Sequence, residues 1–268
     1  MALELNKLLD PVVAIARAAG QEIMTIYESD FEVETKSDHS PLTAADKAAH
    51  ELICRELAKL TPGIPVWSEE SADIEFADRA DWDEFWLVDP LDGTKEFIKK
   101  NGEFTVNIAL IQGHDTVLGV VHVPARSEDY YACRGMGAFM REANGETRAI
   151  TAQKPAAKPV RVVGSRSHRG ASLELFLERL GPHEMVPMGS SLKICLVASG
   201  AADIYPRLGL TSEWDTAAAQ AVVECAGGQV VDLEGQPIRY NTRAEVLNPY
   251  FLVFADTSYD WVGFAAAP

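Results

Sequence analysis

Phe85-Trp86-Leu87-Val88-Asp89-Pro90-Leu91-Asp92-Gly93-Thr94 is the stretch that decides how this chain is built. Its first five residues form an apolar run that closes on a carboxylate, the pattern of a buried strand ending at a polar rim. Pro90 fixes its own φ and Gly93 permits a tight turn, so two carboxylates three residues apart are offered toward one spot. Two ionised carboxylates held together repel, and one of them tends to take up a proton unless a cation intervenes. Mg²⁺ suits such a place because it prefers hard oxygen ligands, carboxylates and carbonyls included, in octahedral geometry. Asp-Pro and Asp-Gly are also ordinary turn dipeptides, so the stretch takes its meaning from acidic residues elsewhere.

Upstream, the short apolar run 64–67 leads into Ser68-Glu69-Glu70 and reads as another buried strand with a carboxylate at its end. Before it, Thr43 and Asp46 have the spacing of a capping box, with Asp in place of the usual Glu. They open a helical stripe of Leu52, Ile53, Leu57 and Leu60, which Pro62, Gly63 and Pro65 end. Leu8, Leu9, Val12, Val13, Ala16, Ala19 and Ile23 predict an amphipathic helix over residues 3–28, with Pro11 as its start or a kink. Phe31 and Val33 give a short strand signal, followed by a loop that ends at Pro41.

Downstream, Phe104, Val106, Ile108 and Leu110 alternate with Thr105, Asn107 and Ala109; a turn at 113–115 and a return strand over 116–123 follow, then a further antiparallel strand near 129–135. Residues 150–159 carry the best linker composition. The expected organisation is an N-terminal α+β domain, 1–155, holding a large antiparallel sheet and most of the acidic cluster, and a C-terminal α/β domain, 156–268. In the second part, strands are expected at 160–164, 202–206, 228–232 and 248–255, and helices at 172–180, 191–200 and 217–228, the last with a glycine C-cap. Asp215, in Glu-Trp-Asp-Thr-Ala-Ala, stands just before that last helix and could serve simply as its N-cap. Strands and helices that do not alternate regularly favour a layered α+β or mixed α/β sandwich over a barrel.

Composition narrows the function classes. At 268 residues, with 47% apolar and 24% charged side chains, the chain can bury a substantial core and is not expected to be disordered. The formal net charge of −16 argues against nucleic acid as a partner, because phosphate neutralisation needs Lys and Arg. If the substrate is an anion, bound divalent cations must offset the repulsion. Cys54, Cys133, Cys195 and Cys225 are widely spaced among apolar residues, which predicts free thiols rather than disulfides or a zinc site. No secretory signal and no uninterrupted apolar run of transmembrane length are expected. The expectation is a cytoplasmic protein; peripheral association with the cytoplasmic face of the inner membrane, and the oligomeric state, stay open.

Taken together, Asp-Pro-Leu-Asp-Gly-Thr at 89–94, the upstream Ser-Glu-Glu at 68–70, the downstream Trp-Asp at 214–215 and the segment 36–46 resemble, in order, the motifs of the inositol monophosphatase superfamily of Mg²⁺-dependent, lithium-sensitive phosphatases. The resemblance runs from about residue 10 to about residue 260. It implies the layered αβαβα sandwich that this superfamily shares with fructose-1,6-bisphosphatase, and two to three Mg²⁺ per active site. By that resemblance Glu69, Asp89 and the Leu91 carbonyl would hold one Mg²⁺, and Asp89, Asp92 and Asp215 a second. A third, weaker one would lie near Glu69 and Asp46. Asp46 and Thr94, with Glu69, would be catalytic, orienting the attacking water. The Gly93 and Thr94 amides would hold the scissile phosphate.

Lys95-Glu96-Phe97-Ile98 and Ser190-Ser191-Leu192-Lys193 are similar to the 3'(2'),5'-bisphosphate nucleotidases within the superfamily. This implies hydrolysis of adenosine 3',5'-bisphosphate, a by-product of sulfate activation, to AMP and phosphate. Glu69, Leu91, Asp92, Gly93, Thr94, Ser190, Lys193 and Asp215 would contact this phosphorylated nucleotide. Ser165, Arg166 and Arg207 are further candidates for contacts to substrate, and Lys36 and Asp38 have no role assigned. The competing readings are an inositol monophosphatase-type sugar or inositol phosphatase and, in another class, a non-catalytic nucleotide sensor.

Overall fold

The computed structural model describes residues 4–29, 33–35, 41–165 and 170–265. Helix α1, Leu5–Tyr27, is followed by the short antiparallel pair β1, Val33–Thr35, and β2, Pro41–Thr43, and by α2, Ala44–Leu60. The helix begins at Leu5, so Pro11 lies inside it rather than at its start. Phe31, Lys36, Asp38 and Arg166 lie outside the described residues.

Seven strands form the first sheet: β3, Val66–Ser68; β4, Glu84–Asp92; β5, Thr105–Gln112; β6, Asp115–Val123; β7, Glu128–Cys133; β8, Gly137–Arg141; and β9, Thr147–Ile150. They lie side by side in chain order, with β3 parallel to β4 and every other pair antiparallel. Two short α-helices interrupt the run: α3, Phe76–Arg79, between β3 and β4, and α4, Thr94–Ile98, between β4 and β5. The hairpin of β8 and β9 extends the sheet beyond the strands expected from the sequence.

The later residues supply β10, Val160–Gly164; α5, Ala171–Leu180; β11, His183–Pro187; α6, Leu192–Ala198; β12, Ile204–Arg207; α7, Ala217–Cys225; β13, Gln229–Asp232; β14, Phe251–Phe254; and α8, Trp261–Ala265. Their five strands form a mixed sheet in the order β11-β10-β12-β14-β13. β11 is an edge strand that the sequence pattern did not announce.

Hydrophobic faces stack these parts into five layers, as the sandwich expectation required. The stripes of α1 and α2 cover one face of the first sheet, packing on Trp86, Val88, Val106, Ile108, Leu110 and Val120. The other face, Phe85, Leu87, Ala109, Ile111 and Val121, packs on α6 and α7, which also meet Val230 and Val253 of the second sheet. Helices α5 and α8 close the far side through Phe176 and Trp261. Each fully buried aliphatic side chain contributes roughly 1.5–3 kcal/mol by leaving water. Both faces of the first sheet are therefore covered, and the alternation in β5 separates two buried faces rather than core from solvent. Gly119 shows how tightly α7 sits on β6: an added Cβ there would stand 2.2 Å from the Ala218 carbonyl oxygen.

Residues 151–159, between the sheets, carry no helix or strand but are tied down. The Ala152 N–H donates to the Ala226 carbonyl at 2.9 Å, and the Ala156 N–H to the Asp256 carboxylate at 2.9 Å. All four cysteines are free thiols. Among the described residues, no helix is long and apolar enough to cross a membrane.

Candidate metal-binding active site

The Asp-Pro-Leu-Asp segment continues β4 instead of leaving it as a free turn. Asp89 pairs with Asn107 and Asp92 with Thr105, so three steps along β4 are matched by two along β5. This irregularity has a chemical consequence. Side chains alternate faces with a period of two, so residues three apart would point to opposite faces. One extra residue, accommodated around Pro90, brings Asp92 back toward the face that Asp89 occupies. That face is the one covered by α6 and α7, and the carboxylates therefore lie between the first sheet and the C-terminal half of the chain.

Glu69 arrives by strand pairing. β3 runs parallel to β4 with Ser68 opposite Val88, so Glu69, which follows the end of β3 and opens a 3-10 turn, emerges beside Asp89 of β4. The two side chains share a hydrogen bond. Asp215 enters from the opposite layer, on the turn before α7, and its carboxylate accepts the Ser212 N–H at 3.0 Å. Carboxylate oxygens of Asp89, Asp92 and Asp215 all lie within 4.8 Å of one another.

Electrostatics mark this as a place built for positive charge. Burial, and then the charges of Glu69, Asp92 and Asp215, hold the Asp89 carboxyl well above the usual range. Burial, Asp92 and Glu69 push Asp215 up to about 8. Asp92 is raised by burial too, opposed chiefly by the Lys193 charge and the Ser191 N–H that it accepts. An all-oxygen set with several acids so close together fits a hard divalent cation, which would supply the charge that protons otherwise provide.

Around the carboxylates the supports are specific. Leu91 N–H donates to Asp89 at 3.0 Å, fixing the turn of the chain. Asp46 is buried at the first turn of α2, where it accepts the Thr43 N–H at 2.7 Å and the capping box forms as its spacing implied. Its other oxygen faces the Thr94 hydroxyl at 3.3 Å, and that hydroxyl also lies 3.4 Å from the Leu91 carbonyl. Gly93, at φ +92°, begins the turn into α4; a Cβ there would stand 3.1 Å from the Glu103 carbonyl oxygen.

A cleft of about 400 Å³ opens beside Asp92 and Asp215. Ser190, Lys193, Arg207 and Ser165 line it, with Lys95 and Glu96. The Lys193 ammonium donates to the Ser190 carbonyl at 2.6 Å, and burial pushes it down to about 8 against the pull of Asp92. Ser190, Lys193, Arg207, Ser165, Lys95 and Glu96 thus share one cleft with Asp92 and Asp215, while Thr94 and Asp46 meet each other near the Leu91 carbonyl.

Thr105, Asn107 and Ser191 are named in the sequence reading, but none of them is given a role of its own in the site. The Ser191 hydroxyl donates to Asn107 at 2.9 Å and lies 2.9 Å from the Thr105 hydroxyl, while its backbone N–H serves Asp92. A signal existed: Thr105 and Asn107 are polar positions of β5 on the same face as Asp89, where an apolar core would have been expected. Arg79 and Glu213, both fully buried, were also missed.

A layered αβαβα fold with a buried carboxylate cluster between its layers defines a class of metal-dependent phosphatases. The model of the inositol monophosphatase family matches residues 4–257, and the chain belongs to that family. A protein of Escherichia coli O6:H1 named 3'(2'),5'-bisphosphate nucleotidase CysQ is 49% identical over 248 residues, covering 92% of this chain and 99% of its own. The protein of that name from Haemophilus influenzae is 37% identical, covering 97% of each chain. Among solved structures, CysQ from Bacteroides thetaiotaomicron superposes with a TM-score of 0.84 at 40% identity, over 95% of this chain and 99% of that one. An IMPase from Thermotoga maritima gives 0.77 at 26%, over 97% and 96%.

Proposed function

We propose that this chain is a Mg²⁺-dependent 3'(2'),5'-bisphosphate nucleotidase that hydrolyses adenosine 3',5'-bisphosphate to AMP and phosphate, removing a by-product of sulfate activation. The observation that carries the reading is the meeting of Asp89, Asp92 and Asp215 within 4.8 Å, beside a cleft that also holds Lys193 and Arg207. The named bisphosphate nucleotidases, similar over nearly the whole chain, point to the same substrate.

Glu69, Asp89 and the Leu91 carbonyl would hold one Mg²⁺, and Asp89, Asp92 and Asp215 another, with Glu69 and Asp46 beside a weaker third position. Bound there, Mg²⁺ supplies Lewis-acid stabilisation of phosphoryl charge and lowers the pKa of water. The protein's own groups do the rest. Thr94 and Asp46 form a hydroxyl–carboxylate pair that orients the attacking water and takes up its proton, a general-base role in which Glu69 takes part. The Gly93 and Thr94 amides face the scissile phosphate as hydrogen-bond donors. Lys193, with Ser190, meets the second phosphate in the cleft, where Arg207 adds charge. This second anion distinguishes a nucleoside bisphosphate from a monophosphorylated polyol.

Phosphate release from adenosine 3',5'-bisphosphate, inositol 1-phosphate and fructose 1,6-bisphosphate, with Mg²⁺ and with EDTA, tests the reading. The bisphosphate nucleotide is expected to give the highest kcat/KM, and only with Mg²⁺. Faster turnover of inositol 1-phosphate would replace the substrate assignment. Tight nucleotide binding without turnover would replace the enzyme.

A further inference from the structure

Arg79 is among the largest fully buried side chains of the protein, with 1% of its surface exposed. A buried guanidinium is costly unless its charge and donors are matched, so its partners state what it is for. It lies at the end of α3, with its guanidinium carbon 4.0 Å from the centre of the Trp67 ring. It donates to the Asn241 side-chain oxygen and to the carbonyls of Arg243, at 3.4 Å, and Ala244, at 2.9 Å. Asn241 answers from its amide group to the Arg79 carbonyl at 2.6 Å, and its backbone N–H donates to Glu213 at 2.8 Å. Glu213 is fully buried, with the charged groups of Arg79 and Arg243 near it.

These contacts fall in a meaningful place. Trp67 is two residues before Glu69, and Glu213 two residues before Asp215. The rings of Trp67 and Trp214 also meet edge to face at 5.8 Å. Arg79 therefore touches the lead-in to Glu69, which belongs to the first sheet, and through charge and Asn241 the lead-in to Asp215, which belongs to the layer facing it. A two-sided site needs such a tie, because a small error in the separation of its two halves spoils coordination. Mg²⁺ demands near-ideal octahedral geometry at short distance.

We propose that Arg79 is a positioning residue that clamps the Glu69 arm to the Asp215 arm and so sets the spacing of the carboxylates for a divalent cation, without touching cation or substrate. The inference rests on the metal-binding reading of the site. Residues that orient metal ligands in this way typically contribute about 10–100-fold to metal affinity.

The test measures Mn²⁺ binding by electron paramagnetic resonance, without substrate, on the full chain and on Arg79→Met, Arg79→Lys and Asn241→Gly. Asn241 sits at φ +55°, where glycine is at ease, so that variant removes the bridging amide with little backbone cost. Arg17→Met serves as the control for plain destabilisation, since Arg17 pairs with Asp129 away from the carboxylates. Arg79→Met is expected to weaken Mn²⁺ binding by about tenfold or more. The Mg²⁺ concentration for half-maximal turnover should rise in proportion, with the nucleotide KM at saturating Mg²⁺ within about twofold. Arg79→Lys keeps the charge but loses the planar fork and should fall between. Asn241→Gly should shift in the same direction and carries the test if Arg79→Met fails to fold. Arg17→Met should lower Tm and leave Mn²⁺ affinity in place. Mn²⁺ affinities of Arg79→Met and Asn241→Gly within about twofold of the unmodified protein would overturn the clamp and leave Arg79 a stability residue. No Mn²⁺ binding by the unmodified protein would overturn the metal site itself, a separate result.

Discussion

Replacing Asp215 by Asn tests the physics of the cluster independently of catalysis. The Asp215 pKa is pushed from the ordinary 3.8 to about 8 by burial and by the charges of Asp92 and Glu69. A carboxyl whose pKa rises on folding favours the fold fully below its unfolded pKa, and that contribution is lost as pH climbs through the folded value. The window here runs from about 4 to about 8. At about pH 7.5 the unfolded chain has released a proton that the metal-free fold still holds. At about 1.4 kcal/mol per pH unit across that window, the lost stability is on the order of a few kcal/mol.

Asn removes the charge, keeps nearly the same shape, and retains an oxygen for the Ser212 N–H. With one acid fewer in the cluster the remaining carboxylates ionise more readily, so the net gain is a fraction of the whole. We expect at least about 1 kcal/mol, or about 2–4 °C in Tm for a chain of this size. Thermal unfolding in EDTA and in about 10 mM MgCl₂, at about pH 5.5 and about pH 8, makes the comparison. The unmodified protein should lose Tm in EDTA as pH rises and recover it with Mg²⁺. Asp215→Asn should melt higher than the unmodified protein in EDTA at the upper pH, respond little to Mg²⁺, and lose about 10³-fold or more in kcat, some 4 kcal/mol of barrier. A variant that melts lower in EDTA at both pH values, by similar amounts, would refute the idea that the cluster is a reservoir of repulsion awaiting a cation.

Thr94→Val, which deletes the hydroxyl facing Asp46 at 3.3 Å, should lower kcat by about 10²–10⁴-fold while the Mg²⁺ requirement stays within about threefold; an equal loss in metal affinity would show the hydroxyl to be structural. Gly93→Ala must carry a Cβ at φ +92° and 3.1 Å from the Glu103 carbonyl, and should cost about 1–3 kcal/mol in urea unfolding together with activity; a variant as stable as the unmodified protein would show the turn to be unstrained. Asp129 is buried, which raises its pKa, but the hydrogen bonds of His122 and Arg17 prevail and hold it below the ordinary value, so its stabilisation is present above that value and is lost as pH falls through the folded one. Asp129→Asn should therefore lower stability by about 3–5 kcal/mol near neutral pH, read by urea unfolding, with kcat unchanged where the variant remains folded; an unchanged midpoint would mean the pair contributes nothing.

What was legible in the sequence was local. The capping box of Thr43 and Asp46 needs only four consecutive residues, and it formed. The amphipathic stripe of α1 survived Pro11, because the apolar contacts of one helical face outweigh one lost backbone bond. Asp89, Asp92, Glu69 and Asp215 each stand where an apolar run or a helix meets a turn, and that placement made them candidates. Their convergence was not local. Glu69 reaches Asp89 only because β3 joins β4 in parallel with Ser68 opposite Val88, and no property of Ser-Glu-Glu specifies that register. Asp92 returns to the face of Asp89 only through a one-residue slip against β5. The polar residues of β5 read in the sequence as one half of an alternation, although both faces of that strand are buried and Asn107 and Thr105 stand beside the Asp92 carboxylate.

Arg79 carries the same argument furthest. Within Phe-Ala-Asp-Arg it reads as a surface charge, since arginine is seldom buried. Its partners Asn241, Arg243 and Ala244 lie more than 160 positions away, and its role depends on two segments that the fold alone brings face to face. Carboxylates can be nominated from their own neighbours. The groups that hold them at a working separation are visible only once the layers are assembled, and for that reason metal affinity, rather than activity or stability alone, is the measurement that separates an Arg79 that positions from one that merely fills.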